Sequence, residues 1–191
     1  MRVRNLLLGA AVVLCAAAPA RAQTVIDQNL GLEFGASMPT GDFSDAAGAG
    51  WNIGAQYEAM MANFGMGGEI KYHGWGASDD FLSGIGSGSD GSFAAWQYDV
   101  YGIAAMTMPK WRPYAKAGLG WYSPSMKITT PTGDTNASDT NFGIVVGAGA
   151  DFDTPSTMKA GVGFSYHRLQ DSTQDFWSMN ARMTWPLKLG H

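Results

Sequence analysis

The chain has 191 residues and is rich in glycine (26) and in aromatic residues (7 Trp, 7 Tyr and 9 Phe), while only 15% of its residues are charged. Its formal net charge of −4 argues against a nucleic-acid partner, since such proteins carry basic surfaces. The length predicts one domain, and the composition differs from that of helical solenoids and disordered tails.

The amino terminus has the pattern of a secretory signal. Arg2 and Arg4 precede an apolar run from Leu6 to Ala18, and Ala20-Arg21-Ala22 forms a small-x-small cleavage site. The run is shorter than the roughly 20 residues of a membrane-spanning helix. We therefore predict a cleaved signal peptide over residues 1–22 and one domain over residues 23–191.

Removal of this segment changes the charge and the redox chemistry of the chain. It takes three arginines, leaving nine basic residues against sixteen acidic ones, so the net charge becomes −7. It also takes Cys15, the one cysteine. An exported chain without disulfides must gain its stability from one large cooperative structure or from the membrane.

The remaining sequence alternates with a period of two. In the first such segment, apolar residues at 30, 32, 34, 36 and 38 alternate with Gly31, Glu33, Gly35 and Ser37. Each segment is about as long as a tilted membrane strand. The same pattern predicts eight strands, over residues 30–38, 51–59, 66–73, 96–104, 114–121, 142–152, 158–167 and 177–185.

The connections between these strands alternate between long and short. Residues 39–50, 76–93, 123–141 and 168–175 form long connections, and residues 61–65, 109–113 and 153–157 form short ones. Outer-membrane barrels have short periplasmic turns and longer external loops. The alternation therefore predicts an even strand number and both termini on the periplasmic side.

Alternation alone does not distinguish a membrane barrel from a soluble, lipocalin-like one with an apolar interior. Glycine favours the membrane barrel, because glycines on a narrow inner face make room for large polar side chains. The opposite face has almost no charge, and we predict that it carries an aromatic girdle. These observations predict an all-β fold, an eight-stranded antiparallel up-and-down transmembrane β-barrel, with girdle residues Trp51, Trp96, Trp121, Trp177 and Trp185.

The period of two places charged and histidine side chains on the predicted inner face. One interpretation is that they select ions in an open lumen. The interpretation we favour is a structural network that plugs the barrel, because eight strands leave room only for side chains. The predicted lumen network comprises Glu33, Glu58, Glu69, Lys71, His73, Lys116, Lys159, His167 and Arg182.

Three stretches carry a resemblance to a known family: Pro39 to Ser44 (PTGDFS), Pro113 to Trp121 (PYAKAGLGW) and Gly147 to Phe152 (GAGADF). They resemble the outer-membrane β-barrel domain family, the porin-like small barrels of OmpA, OmpX and OmpW type. The resemblance implies an outer-membrane location, contact with outer-membrane lipid, and assembly through periplasmic chaperones and the barrel-assembly machinery. The chain departs from such barrels by ending Leu187-Lys188-Leu189-Gly190-His191 without a terminal Phe.

No catalytic, cofactor or metal motif is evident. Outer-membrane deacylases of this size carry a His-x-Ser motif. In this chain His73 is followed by Gly74-Trp75 and His167 by Arg168-Leu169, so neither histidine has that spacing. We therefore expect a protein without enzymatic activity or cofactor, acting in the cell envelope through structure or through its surface loops. The alternatives are porin-like or OmpW-like passage of small molecules, and a soluble periplasmic ligand-binding barrel.

Overall fold

The computed structural model describes residues 26–86, 88–131, 133–170 and 174–187. The predicted signal peptide and its cleavage site before Gln23 lie outside the described residues, as do residues 188–191 at the carboxy terminus.

The described chain consists of nine strands and two short helices. The helices are α1 (Asp42–Ala46) and α2 (Asp79–Ile85). The strands are β1 (Asp27–Pro39), β2 (Ala47–Met61), β3 (Phe64–Ala77), β4 (Asp90–Ala105), β5 (Trp111–Thr130), β6 (Gly133–Ser138), β7 (Asn141–Asp153), β8 (Lys159–Leu169) and β9 (Phe176–Pro186).

Eight of these strands close into an antiparallel barrel, which confirms the predicted fold class. Each barrel strand pairs with the next one in the chain, and β9 pairs with β1 to complete the ring. In that closing pair, Leu30 lies opposite Trp185 and Glu33 opposite Arg182. All four long connections lie at one end of the barrel, the loop end, and the short connections lie at the other, the turn end.

The ninth strand corrects the prediction of a loop over residues 123–141. Strand β5 continues to Thr130, and β6 pairs with its last six residues to form a hairpin above the ring. Every residue of β6 is exposed. Because this hairpin has polar side chains on its outer face, it lacks the apolar alternation by which the barrel strands were predicted.

The apolar side chains lie on the outside of the barrel, as predicted. Phe34 is 56% exposed, whereas its neighbour Glu33 is 3% exposed and points inward. Inner glycines provide the space for large inner side chains: a Cβ on Gly67 would lie 2.6 Å from the Tyr101 ring, and one on Gly163 would lie 2.7 Å from the Tyr114 hydroxyl. The narrow interior is thus filled by side chains.

Candidate functional site

The lumen contains a continuous row of four charged side chains that we call the lysine cluster. The Lys71 ammonium contacts the Glu33 carboxylate at 2.8 Å and the Glu69 carboxylate at 2.7 Å. The second oxygen of Glu69 accepts from Lys116 at 2.7 Å. Opposite charges thus alternate along the row, so each buried charge has an ionic partner.

A second group, the arginine cluster, lies nearer the turn end. The Arg182 guanidinium contacts Glu58 at 3.1 Å and Asp151 at 3.0 Å. Arg112 contacts the same two carboxylates, at 3.3 Å and 2.8 Å. Two cations and two anions therefore balance one another.

Gln56 joins the two clusters. In the amide orientation that satisfies both of its polar groups, its nitrogen donates to Glu33 at 2.8 Å and its oxygen accepts from Arg182 at 2.8 Å. Two aromatic rings also contact the cations: Lys116 lies 4.7 Å from the centroid of Tyr101, and Arg182 lies 4.7 Å from that of Tyr114. The charged interior is therefore one connected network.

Two histidines lie on the loop side of this network, and neither is solvent-accessible. His73 Nε2 lies 2.6 Å from the Gln97 amide oxygen, which can only accept, so Nε2 carries the proton. His73 Nδ1 then accepts from the Ser37 hydroxyl at 2.7 Å. The partner of Nε2 is therefore a neutral amide, and both the serine and the histidine are buried.

His167 is held in the same manner. Its Nδ1 lies 3.0 Å from the Tyr122 hydroxyl and its Nε2 lies 3.0 Å from the Ser178 hydroxyl. Both ring nitrogens thus have neutral hydroxyl partners. These two hydrogen bonds fix the orientation of the imidazole ring.

Aromatic side chains cover the histidines at the loop end and form what we call the cap. Trp75 stacks on His73 with centroids 5.4 Å apart, and Phe176 stacks on His167 at 4.5 Å. Phe43 of α1 packs edge-on against Trp75 at 5.3 Å and against Phe93 at 5.7 Å. Phe43 comes from the PTGDFS stretch, so this motif folds over the mouth of the barrel.

The turn end of the lumen is also filled, by a buried apolar group of Met60, Tyr101, Ile103, Ala105 and Tyr114. From this apolar group toward the loop end, the lumen therefore contains the charged clusters, then the two histidines, and then the aromatic cap. Side chains occupy the described lumen along its length.

Eight of the nine predicted lumen residues lie inside the barrel, and Lys159 does not join them. Its side chain is 38% exposed and lies 3.8 Å from Asp153 at the turn end. Lys159 has the inward parity of its strand, but it is the first residue of β8, so its ammonium reaches the barrel rim and water.

The network also contains residues that were not among the predicted lumen set. Asp151, Gln97 and Asp99 occupy inward positions of predicted strands, and this parity was the signal that could have identified them. Arg112 falls in a predicted turn, yet it is two residues before the inward Tyr114 and so shares its parity.

The predicted girdle tryptophans lie on the outer wall. Trp51, Trp96 and Trp121 are exposed in the loop half of this wall. Trp177 is half-buried, and its ring centroid lies 4.6 Å from that of Phe164. Trp185 lies in the turn half, on the strand pair that closes the ring. Three further aromatic side chains of the turn half, which were not predicted as girdle residues, are also exposed, namely Phe64, Trp111 and Phe152.

Comparison with protein families identifies the chain. The model of the family described as "Outer membrane protein beta-barrel domain" matches residues 7–184. The chain belongs to this outer-membrane β-barrel family. The match confirms the resemblance first drawn from the glycine-rich and aromatic stretches.

Solved structures of similar fold are also small outer-membrane barrels. Neisserial surface protein A (NspA) has a TM-score of 0.59 at 11% identity, covering 84% of this chain and 97% of its own. Ail, the attachment invasion locus protein of Yersinia pestis, has a TM-score of 0.58 at 15% identity, covering 83% and 98%. OprG of Pseudomonas aeruginosa has a TM-score of 0.50 at 8% identity, covering 84% and 94%. Among curated protein sequences, none matches significantly.

The family and these neighbours support an outer-membrane location and contact with lipid for this outer-membrane barrel. Two bands of outward aromatic side chains border its apolar wall, consistent with the two interfaces of a bilayer.

Within the described ranges, no helix is long and apolar enough to cross a membrane. The described residues also include no group of three or more His, Cys, Asp or Glu side chains arranged to hold a metal ion.

Proposed function

We propose that this outer-membrane barrel is sealed and acts through its external surface. Export through a cleaved signal peptide, delivery by periplasmic chaperones and insertion by the barrel-assembly machinery belong to the same proposal. The observation that carries it is the occlusion of the lumen, where Lys71, His73, Gln97 and His167 are each 0% exposed.

The occlusion has three layers in series. A solute entering from outside would first have to displace Phe43 and its aromatic partners. It would then have to separate the histidine contacts and the ion pairs of both clusters. Breaking a buried ion pair costs several kcal/mol, so the resting barrel is a closed structure.

The external surface supports an interaction role with a cationic partner. The described loop end carries Lys127 and Arg168 against eight aspartates, namely Asp42, Asp45, Asp79, Asp80, Asp90, Asp134, Asp139 and Asp175. The neighbour Ail has also been solved with the heparin analogue sucrose octasulfate. The acidic loop end of this chain would repel such a polyanion and attract a basic surface.

We further propose that the protein is not an enzyme. Each serine–histidine pair is buried, and the second nitrogen of each imidazole faces a neutral group. A nucleophile of this kind needs an oriented acid and a substrate that can reach it.

The soluble periplasmic barrel, an alternative on the sequence alone, needs an apolar cup for its ligand. The lumen described here contains two clusters of ion pairs, and the apolar side chains lie outside. We therefore do not retain that alternative.

Planar-bilayer recording tests the seal and distinguishes it from small-molecule passage. The reconstituted protein is expected to give no stepwise conductance, with a general porin as the control for detection. Reproducible unitary steps from the wild-type protein, absent from empty detergent controls, would favour the passage function and overturn the sealed barrel.

Cell binding tests the surface role. Cells that display the protein are expected to bind polylysine-coated beads more strongly than heparin-coated beads, and raised salt should weaken the binding. The variant Asp79→Asn/Asp80→Asn should reduce it, whereas Asp153→Asn at the turn end should not. Equal binding by both variants and the wild type would contradict an interaction through the acidic loop end.

A further inference from the structure

The outer wall carries a recess of about 340 Å³ between the aromatic band and the β5–β6 hairpin. Its polar lining comes from four strands and comprises Tyr72, Ser92, Ser125, Lys127, Asn136 and Ser138. The strand register explains the recess. Ser125 lies opposite Ala94 on one side and Ser138 on the other, so three small side chains adjoin one another and leave space on the sheet face.

Lys127 provides the charge of this recess. It lies opposite Ser92 and Asn136, its side chain is exposed, and it forms no ion pair with any described residue. Arg168 is the other cation of the described loop end, which otherwise carries aspartates. A cation next to hydroxyl and amide groups suits an anion that also presents hydroxyls.

The height of the recess identifies the source of such an anion. Lys127 follows the girdle residue Trp121 by six positions on β5. At about 3.3 Å per residue and a tilt of about 40°, this places Lys127 ~15 Å above Trp121. Tyr72 forms the lower border, and its ring lies 5.5 Å from that of Trp51 and 5.1 Å from that of Trp96. Aromatic bands mark the headgroup level of a bilayer, so the recess begins at this level beside Tyr72, opens sideways, and extends above it to Lys127, where the sugars of a lipid headgroup would lie.

We propose that this recess binds the phosphorylated sugar headgroup of a glycolipid in the external leaflet. Lys127 pairs with a phosphate, and Ser92, Ser125, Asn136 and Ser138 hydrogen-bond to phosphate and sugar oxygens. Tyr72 lies at the border between sugar and acyl chains. The orientation, with the loop end outside, rests on the proposed function.

The lateral position favours a lipid over a soluble ligand or a protein partner. The recess faces outward from the barrel wall, and the aromatic rings below it are in the lipid-facing band. A lipid anchored by its acyl chains next to this wall presents its headgroup at the recess at high effective concentration. A soluble anion has no such advantage.

Binding to phosphatidylcholine vesicles that contain diphosphoryl lipid A tests the proposal. The folded protein, reconstituted in phosphatidylcholine nanodiscs, is mixed with these vesicles, and the lipid A transferred to each disc is measured by mass spectrometry. Lys127→Ala should weaken retention by about ten-fold, since it removes a charge-assisted contact to phosphate. Ser125→Phe, which fills the recess without changing charge, should weaken it comparably.

Arg168→Ala is the matched control, because it removes the same charge from the same end of the barrel but outside the recess. It should retain lipid A as the wild type does. Equal losses in Lys127→Ala and Arg168→Ala would overturn the site in favour of general electrostatic attraction. Equal retention of fully dephosphorylated lipid A would overturn the phosphate contact, and full competition by inorganic phosphate would overturn the lipid as its source. These outcomes do not depend on conductance or on bead binding, so they are separable from failure of the proposed function.

Discussion

Arg182 of β9 and Glu58 of β2, 124 residues apart in the chain, form an ion pair at 3.1 Å inside the barrel. Each strand is a neighbour of β1, so the pair spans the closing seam of the ring. Closure of the sheet and pairing of the charges therefore depend on each other.

The first prediction concerns this pair. Arg182→Ala should lower the free energy of unfolding by about 3 to 5 kcal/mol, because Glu58 and Asp151 lose a buried cation. Urea unfolding in detergent measures the change. Lys159→Ala is the control, since its pair with Asp153 is exposed and should contribute below about 1 kcal/mol. Equal midpoints for Arg182→Ala and the wild type would contradict a structural role for the arginine cluster.

The second prediction compares two buried carboxylates of neighbouring strands. Glu69 contacts both Lys71 and Lys116, so Glu69→Gln should destabilise the barrel by roughly 3 kcal/mol. Asp99 accepts from Gln97 at 2.6 Å, but its Oδ1 has no hydrogen-bond partner among the described residues. Asp99→Asn should therefore be neutral or stabilising within about 1 kcal/mol. The same unfolding assay ranks the two variants, and a larger loss for Asp99→Asn would refute this account.

The third prediction concerns the inner glycines. Gly67→Ala should destabilise by about 1 to 3 kcal/mol, because the new methyl group would meet the Tyr101 ring at 2.6 Å. Gly76→Ala, on the same strand, meets nothing within 4 Å and serves as the control. Heat-dependent mobility on detergent gels, which separates folded from unfolded barrels, gives the comparison. A matched response of the two variants would show that the interior has space to spare at Tyr101.

The fourth prediction tests whether the lumen stays closed when the aromatic cap is weakened but the histidine and charged layers below it are intact. Phe43→Ala removes the contacts of α1 with Trp75 and Phe93, so residues around α1 should become more sensitive to external protease. The variant should remain silent in planar bilayers, because the histidines and both charge clusters still fill the lumen below. Phe81→Ala, a half-buried residue of α2, is expected to have a smaller effect on the cleavage near α1. Conductance from Phe43→Ala would show that the cap alone closes the barrel.

The sequence by itself determined the barrel and the direction of its side chains. A period of two is a local property, so residues such as Phe34 and Glu33 could be assigned to opposite faces before any pairing was known. The alternation of long and short connections then fixed the even number of strands and the common end of the loops. The predicted inward positions of Lys71, His73 and Arg182 follow from the same rule.

The tertiary structure decided which groups meet. The alternation tells which face of the sheet a side chain occupies but not how far along the barrel axis it lies. Lys159 was therefore predicted inside the lumen, although its ammonium reaches the rim. Arg112 was not predicted there, although it joins the arginine cluster. The β5–β6 hairpin and the recess at Lys127 depend on register between strands, which polar sequence leaves weakly specified. Ion pairs such as that of Glu58 with Arg182 exist only once the ring has closed, because closure alone brings strands so distant in sequence within contact.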